Sequence, residues 1–297
     1  MHLSIAIASS SRNHIYLKSK LTRGLPPPEN VSHNEKGQDF EDAIAIMRCI
    51  ITPPKTAAEN MAIDESLLQL CQEPILRFYQ WKPKAISIGY NQDIEKEINL
   101  DFCKKQDINI VRRITGGKAV LHDQEVTYSL VSPEDKLNLP KQVNESYKVI
   151  AQALVIALKQ LGINAELKQQ PERLATSICF NSSNWYELEV NGKKISGSAQ
   201  RRIKNKILQH GPILLNFDPE LNAQCFKTPD QAKTEQQLRE NITSINQEGF
   251  IITPDIMIEA LKKGFEQTFN TKLQLTKLTD EESALAAKLE EKYTSIE

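Results

Sequence analysis

The segment WYELEVNGKKISGSAQ, residues 185–200, commits part of this chain to an antiparallel β-hairpin. Trp185 to Val190 alternates as a strand does, with Tyr186, Leu188 and Val190 on one face. Gly192 makes the turn, and Lys193 to Gln200 reads as the returning strand. A hairpin of this kind folds Lys194 back toward the loop that carries Cys179, fifteen residues upstream. A thiol attacks through its thiolate, and a nearby ammonium is one of the few means of producing thiolate at neutral pH. Read alone, the same residues also fit a buried structural cysteine near a surface lysine, since free Cys is among the most buried residue types.

Around this hairpin, helical and strand patterns alternate without an internal repeat. Ala57 to Cys71 reads as a helix, with Ile63, Leu67 and Leu70 on one face. Strands are expected at 75–81 and 85–89 (joined by the Lys82-Pro83 turn), and at 108–113, 126–131 and 207–216. Asn99 to Gln106 is a short helix, and Asn144 to Leu161 the longest, burying Tyr147, Ile150, Leu154, Leu158 and Leu161. From Pro219 onward helices dominate. Thr253-Pro254 places a cap and a first-turn proline, and Thr279 with Glu282 forms a capping box. The expected fold class is α+β, with mixed or antiparallel sheets flanked by helices and a helical C-terminal end, in one domain.

Composition narrows the class of function. Hydrophobic residues are 40% of the 297 and charged ones 25%, as in an ordinary globular protein. A net charge of −1 argues against a nucleic-acid binder that works by phosphate neutralisation. It leaves room for an acidic protein partner that meets a local basic patch. The five cysteines (Cys49, Cys71, Cys103, Cys179, Cys225) are scattered, which is the usage of a reducing compartment. No stretch approaches the apolar length of a membrane span, and a cytoplasmic location is expected. Residues 1–46 stand apart as a disordered or non-native extension, with a polar, Pro-containing tract before Met47. The domain is expected over 47–297.

Two further segments carry candidate binding residues. In RRITGGKAVLHD (112–123), Arg112 and Arg113 end a strand, and Gly116-Gly117 frees the backbone to curl against an oxyanion or phosphate. His122 follows a short strand that can return it to the same cavity. A glycine turn with solvated arginines is the bland alternative. The segment matches neither the phosphate loop of nucleotide hydrolases nor a dinucleotide fingerprint. In GSAQRR (197–202), the small residues Gly197, Ser198 and Ala199 mark a close approach by a ligand or another backbone. Arg201, Arg202, Lys204 and Lys206 then form a basic cluster, either a solvated loop or a dock for an acidic carrier protein. His210 is read as structural, and no metal site is expected.

In order along the chain, AAENMAIDESLL, ILRFYQWKPKAISIGYNQ, RRITGGKAVLHDQEVTYSL, SICF, YELEVNGKKISGSAQRR and ILQHGPILL resemble the lipoate–protein ligase and octanoyltransferase superfamily. The likeness runs from about Met47 to Tyr293 and implies the fold of biotin and lipoate protein ligases, one catalytic domain with the acyl site between two sheets. It is nearest to the octanoyltransferase branch with its cysteine in an S-x-C-F loop, where the cysteine forms the acyl-thioester and the hairpin lysine lowers its pKa. Cys179 and Lys194 occupy those places, and Lys118 stands where ligases commonly have a third glycine. The implied reaction takes octanoyl from acyl carrier protein to a lysine of lipoyl domains, those of 2-oxoacid dehydrogenases or the glycine cleavage H protein. No cofactor is implied. The alternatives are an ATP-dependent lipoate–protein ligase, which would need ATP and Mg, and an amidotransferase moving octanoyl between lipoyl domains.

Overall fold

The computed structural model describes residues 45–168 and 187–294. The chain enters through β1 (Ala45–Ile51), α1 (Ala57–Leu70), β2 (Ile75–Tyr79), β3 (Ala85–Ile88), α2 (Ile94–Glu97) and α3 (Leu100–Lys105). It continues through β4 (Asn109–Arg112), β5 (Val120–His122), β6 (Glu125–Pro133), α4 (Val143–Gln160) and β7 (Ala165–Lys168). The second described stretch holds β8 (Glu187–Val190), β9 (Lys193–Ser196), β10 (Ala199–Ile203), β11 (Lys206–Leu214), α5 (Pro219–Cys225) and α6 (Gln231–Asn241). It closes with α7 (Pro254–Phe269), β12 (Thr271–Thr276) and α8 (Asp280–Thr294).

Two sheets form among the described residues. The larger runs β12-β1-β2-β6-β11-β9-β8-β7, with β10 paired to β11; the smaller is β4-β3-β5. Both are mixed. β1 is parallel to β12 and β2, while β6 is antiparallel to β2 and β11. β3 is parallel to β4 and antiparallel to β5. One face of the large sheet packs on α4 and α7 through Ile150, Leu154, Leu158, Met257, Leu261 and Phe265. Its other face meets α1 and α8, through Ile63, Leu67, Leu68 and Ala286. The small sheet has its own core with α3, α5 and α6, around Ile86, Ile88, Cys103, Phe226 and Leu238. The α+β class with sheets flanked by helices is as the sequence implies.

Several local expectations are modified. The two strands either side of Lys82-Pro83 do not pair with each other, because β2 belongs to the large sheet and β3 to the small one. The returning strand of the hairpin breaks at Gly197-Ser198, so its two halves, β9 and β10, contact β11 at different places. In α4, Tyr147 and Leu161 are only partly buried; the helix buries alanines instead, at 151, 153 and 157. β1 starts at Ala45, so two residues assigned to the N-terminal extension belong to the sheet. Residues 1–44 lie outside the described part. Between α7 and α8 the helical expectation fails, since Thr271–Thr276 forms an edge strand parallel to β1. The caps hold: Thr253 accepts from Ile256 N at 3.4 Å, and Thr279 and Glu282 bond reciprocally at 2.8 and 3.1 Å.

Candidate active site

A narrow cleft lies between the two sheets. The small sheet contributes Ser87, Val120 and His122. The large sheet contributes Tyr79, Thr127 and the run His210-Gly211-Pro212. Met61 of α1 and Trp81 add apolar wall, and Arg113, Gly117, Gly197, Ser198 and Ala199 complete it. Six of the ten sequence-derived candidates therefore meet at one place: Arg113, Gly117, His122, Gly197, Ser198 and Ala199. Arg112, Gly116 and Lys194 do not line the cleft. Cys179 lies outside the described residues. Arg112 instead donates to the carbonyls of Gly89, Tyr90 and Gln92, which fixes the turn after β3.

The glycine loop is held by Arg113, which is 4% exposed. Its Nη2 donates to Gly116 O at 2.8 Å and Lys118 O at 2.7 Å. Nη1 donates to Ser87 O at 2.7 Å, and the loop is thereby tied to the small sheet. The loop also needs Gly89 beneath it, because a Cβ there would stand 2.0 Å from Gly117 O. Gly117 itself has φ +89°, a conformation that L side chains rarely adopt. Small residues recur across the cleft for the same steric reason. A Cβ on Gly211 would meet Ser198 Oγ at 2.5 Å and Gly197 O at 2.6 Å.

Arg113 also starts two hydrogen-bond relays that reach both cleft histidines. Arginine only donates, so Ser87 Oγ (3.2 Å from Nη1) and Thr115 Oγ1 (3.1 Å from Nε) accept from it. Each hydroxyl in turn meets a histidine: Ser87 Oγ is 2.8 Å from His122 Nε2, and Thr115 Oγ1 2.8 Å from His210 Nε2. The opposite nitrogens donate to carboxylates, His122 Nδ1 to Glu125 at 2.7 Å and His210 Nδ1 to Asp64 at 3.0 Å. All four ring nitrogens are thus engaged, and His122 stacks on Trp81 with ring centroids 4.0 Å apart. Burial lowers the His210 pKa against the pull of Asp64. For Asp64, burial pushes the carboxyl up, but hydrogen bonds and charge from His210 and Arg77 outweigh it and hold the group below its ordinary value.

The sequence reading missed Asp64, Ser87, Thr115 and Glu125, and favoured a structural over a catalytic role for His210. One trace of Asp64 was visible: Asn60 and Asp64 are four residues apart in α1, and both are buried polar groups that bind Arg77. Ser198 is held on two sides, as the close approach expected of the 197–199 run implies. Its N–H donates to Tyr147 Oη at 3.2 Å, and its hydroxyl is 2.8 Å from Tyr128 Oη.

The hairpin brings Lys194 into the interior. Its side chain is 3% exposed, and Nζ lies 2.8 Å from Glu187 Oε1, also buried. β9 is further tied down by Thr243 N, which donates to Lys194 O at 2.9 Å. Buried lysines are paired because an isolated ammonium is costly to desolvate. The remaining cysteines, Cys49, Cys71, Cys103 and Cys225, are buried thiols without disulfides. Burial pushes Cys49 and Cys71 each up to about 11, which makes them inert at neutral pH. Among the described residues no group of three or more His, Cys, Asp or Glu is arranged to hold a metal ion. No described helix is long and apolar enough to cross a membrane.

Residues 56–266 match the lipoyl protein ligase A/B catalytic domain family. Octanoyltransferase LipM of Brevibacillus brevis is 42% identical over 258 residues, 82% of this chain and 94% of the relative. Octanoyltransferase LipM of Staphylococcus aureus is 40% identical over 264 residues, 84% of this chain and 96% of the relative. Among solved structures, a bipartite lipoate protein ligase from Thermoplasma acidophilum superposes with a TM-score of 0.74 at 26% identity, covering 84% of this chain and 94% of that one. An apolar cleft between two sheets, on a chain with these relatives, defines an acyltransferase. The chain belongs to the lipoyl protein ligase A/B catalytic domain family.

Proposed function

We propose that this enzyme moves an octanoyl group from octanoyl-acyl carrier protein to a lysine of a lipoyl domain, through a thioester on Cys179. The observation that carries this reading is the likeness to octanoyltransferases over most of the chain. The S-x-C-F loop and the buried Lys194 of the following hairpin support the covalent route. Cys179 thiolate attacks the donor carbonyl, a C–S bond forms, and the carrier thiol leaves with a proton. The acceptor ε-amine then attacks, a C–N bond forms, and Cys179 is expelled as thiolate while the amine gives up its proton to solvent. Lys194 favours the thiolate and the developing oxyanion by its charge. The octanoyl chain lies along Met61, Trp81, Val120 and Pro212, and each buried methylene contributes about 0.8 kcal/mol. Lipoyl domains of 2-oxoacid dehydrogenases or the glycine cleavage H protein are the acceptors, and the route requires no cofactor.

A second reading, an ATP-dependent lipoate ligase, is favoured by the ligase identity of the solved relative. A third, octanoyl transfer between lipoyl domains, shares the cysteine chemistry and differs in donor. One experiment separates them. The protein is incubated with octanoyl-carrier protein, with octanoyl-lipoyl domain, or with lipoate, ATP and Mg, and followed by intact mass and pyrophosphate release. The reading expects an octanoyl adduct from the carrier donor that vanishes in Cys179→Ala. An adduct that persists in that variant overturns the thioester; pyrophosphate release with lipoate overturns the transferase.

A further inference from the structure

The register of β10 on β11 carries the cleft outward along one face. Ala199 pairs with His210, Arg201 with Leu208 and Ile203 with Lys206. Alternate residues of a strand share a face, so Ala199, Arg201 and Ile203 point the same way. Ala199 and His210 line the cleft. Further along that face, Arg201, Ile203 and Lys206 line a second cavity of about 410 Å³. The glycine loop makes the same passage, with Arg113 and Gly117 in the cleft and Ile114 in the second cavity. The second cavity is therefore a groove lined by the same strands and the same loop as the cleft, one step further along each. Its wall is apolar at Leu68 and Ile114, and Tyr90 and Ile203 are 52% and 40% exposed at its rim.

The groove is also positively charged. Its one carboxylate, Glu65, is occupied by Lys292 at 2.7 Å and by the Tyr293 hydroxyl. Arg201 donates to Ile114 O at 2.6 Å and lies 4.7 Å above the Tyr90 ring; Lys206 donates to Gln69 O at 2.6 Å. Neither carbonyl nor ring cancels a charge. Among the described residues no carboxylate pairs with Arg201, Lys204 or Lys206, on a chain whose net charge is −1. The cations are local to this surface.

We propose that the groove docks the acidic face of the donor carrier protein, with its acyl-bearing arm running along the apolar wall into the cleft. The inference rests on the transferase reading above. Three cations without carboxylate partners match an acidic protein, and a groove built from the same strands and loop as the buried cleft suits a donor that delivers its thioester on a long, thin arm. An acceptor lysine has a shorter reach and no use for that length. Complementary charge acts mainly on encounter, so the groove governs KM and salt dependence rather than the chemical step.

The test is the double variant Lys204→Glu/Lys206→Glu, with Lys105→Glu/Lys233→Glu as a control of equal charge change on α3 and α6. Acylation is measured with octanoyl-carrier protein and with the octanoyl thioester of N-acetylcysteamine, which is small and uncharged. The expected result is a KM for the carrier raised about tenfold or more, a flattened salt dependence, unchanged kcat and an unchanged rate with the small thioester. The control behaves as wild type. Equal loss with both donors, no change with either, or an effect confined to the lipoyl-domain step each overturns the docking proposal. Wild-type enzyme that ignores octanoyl-carrier protein yet accepts the small thioester overturns the donor reading itself, and the docking with it.

Discussion

Lys194 and Glu187 form a buried ion pair across the β8–β9 hairpin, with 2.8 Å between Nζ and Oε1. Strand register aligns Lys194 with Glu189, so the contact to Glu187 runs diagonally, on one face of the sheet. The pair keeps a cation in the interior, on β9.

Lys194→Met breaks the buried ion pair with Glu187, an expected loss of about 3–5 kcal/mol. The double variant Glu187→Gln/Lys194→Met recovers most of that stability in chemical denaturation. It does not recover reactivity. Alkylation of Cys179 by iodoacetamide at pH 7 falls about tenfold in both variants, the effect of roughly one unit in thiol pKa. An unchanged alkylation rate removes Lys194 from thiolate stabilisation.

His210 gives the fold an acid sensitivity. Burial holds its pKa below the ordinary histidine value. Between the folded and unfolded values the unfolded chain binds more protons, so stability rises with pH there and is lost as pH falls below about 6.5. The slope is at most about 1.4 kcal/mol per pH unit for one group. Asp64, held low, adds a second loss as pH drops below about 4. Melting temperatures between pH 5 and 7.5 are expected to fall on acidification in the wild type and to flatten over that range in His210→Gln. Parallel curves for the two proteins refute the assignment.

Glycines of the loop differ in what they tolerate. Gly116→Ala meets nothing within 4 Å and is expected to be near neutral. Gly117→Ala forces a side chain into φ +89° at a cost of about 1–3 kcal/mol. Gly89→Ala drives its Cβ into Gly117 O and moves the loop off Arg113, with transfer expected to drop at least about tenfold. Circular dichroism and kcat/KM on the three variants check the order, and equal activity in all three refutes it.

The hairpin, the caps at Thr253 and Thr279 and the helix at α1 were legible because each is encoded within a few adjacent residues. β12 was not, since its partner β1 lies some two hundred residues away and its own residues are mostly exposed. Nor was the separation of β2 from β3, which depends on which sheet each strand joins rather than on the turn between them. The same division runs through the site. Arg113, Gly117, His122 and the 197–199 run announced themselves by residue type and spacing. Asp64, Ser87, Thr115 and Glu125 are ordinary polar residues in sequence, and they acquire roles only because burial obliges each to find a hydrogen-bond partner.

By itself the sequence determined the class of fold, the hairpin that carries Lys194 and the helix caps at Thr253 and Thr279. Local periodicity and short-range turn chemistry suffice for these. Only the tertiary structure decided that Lys194 is buried against Glu187, that Arg113 reaches two histidines through hydroxyls rather than facing solvent, and that Arg201, Lys204 and Lys206 line one cavity. These depend on contacts between residues far apart in the chain, where the cost of leaving a buried charge or donor unmatched selects the partners.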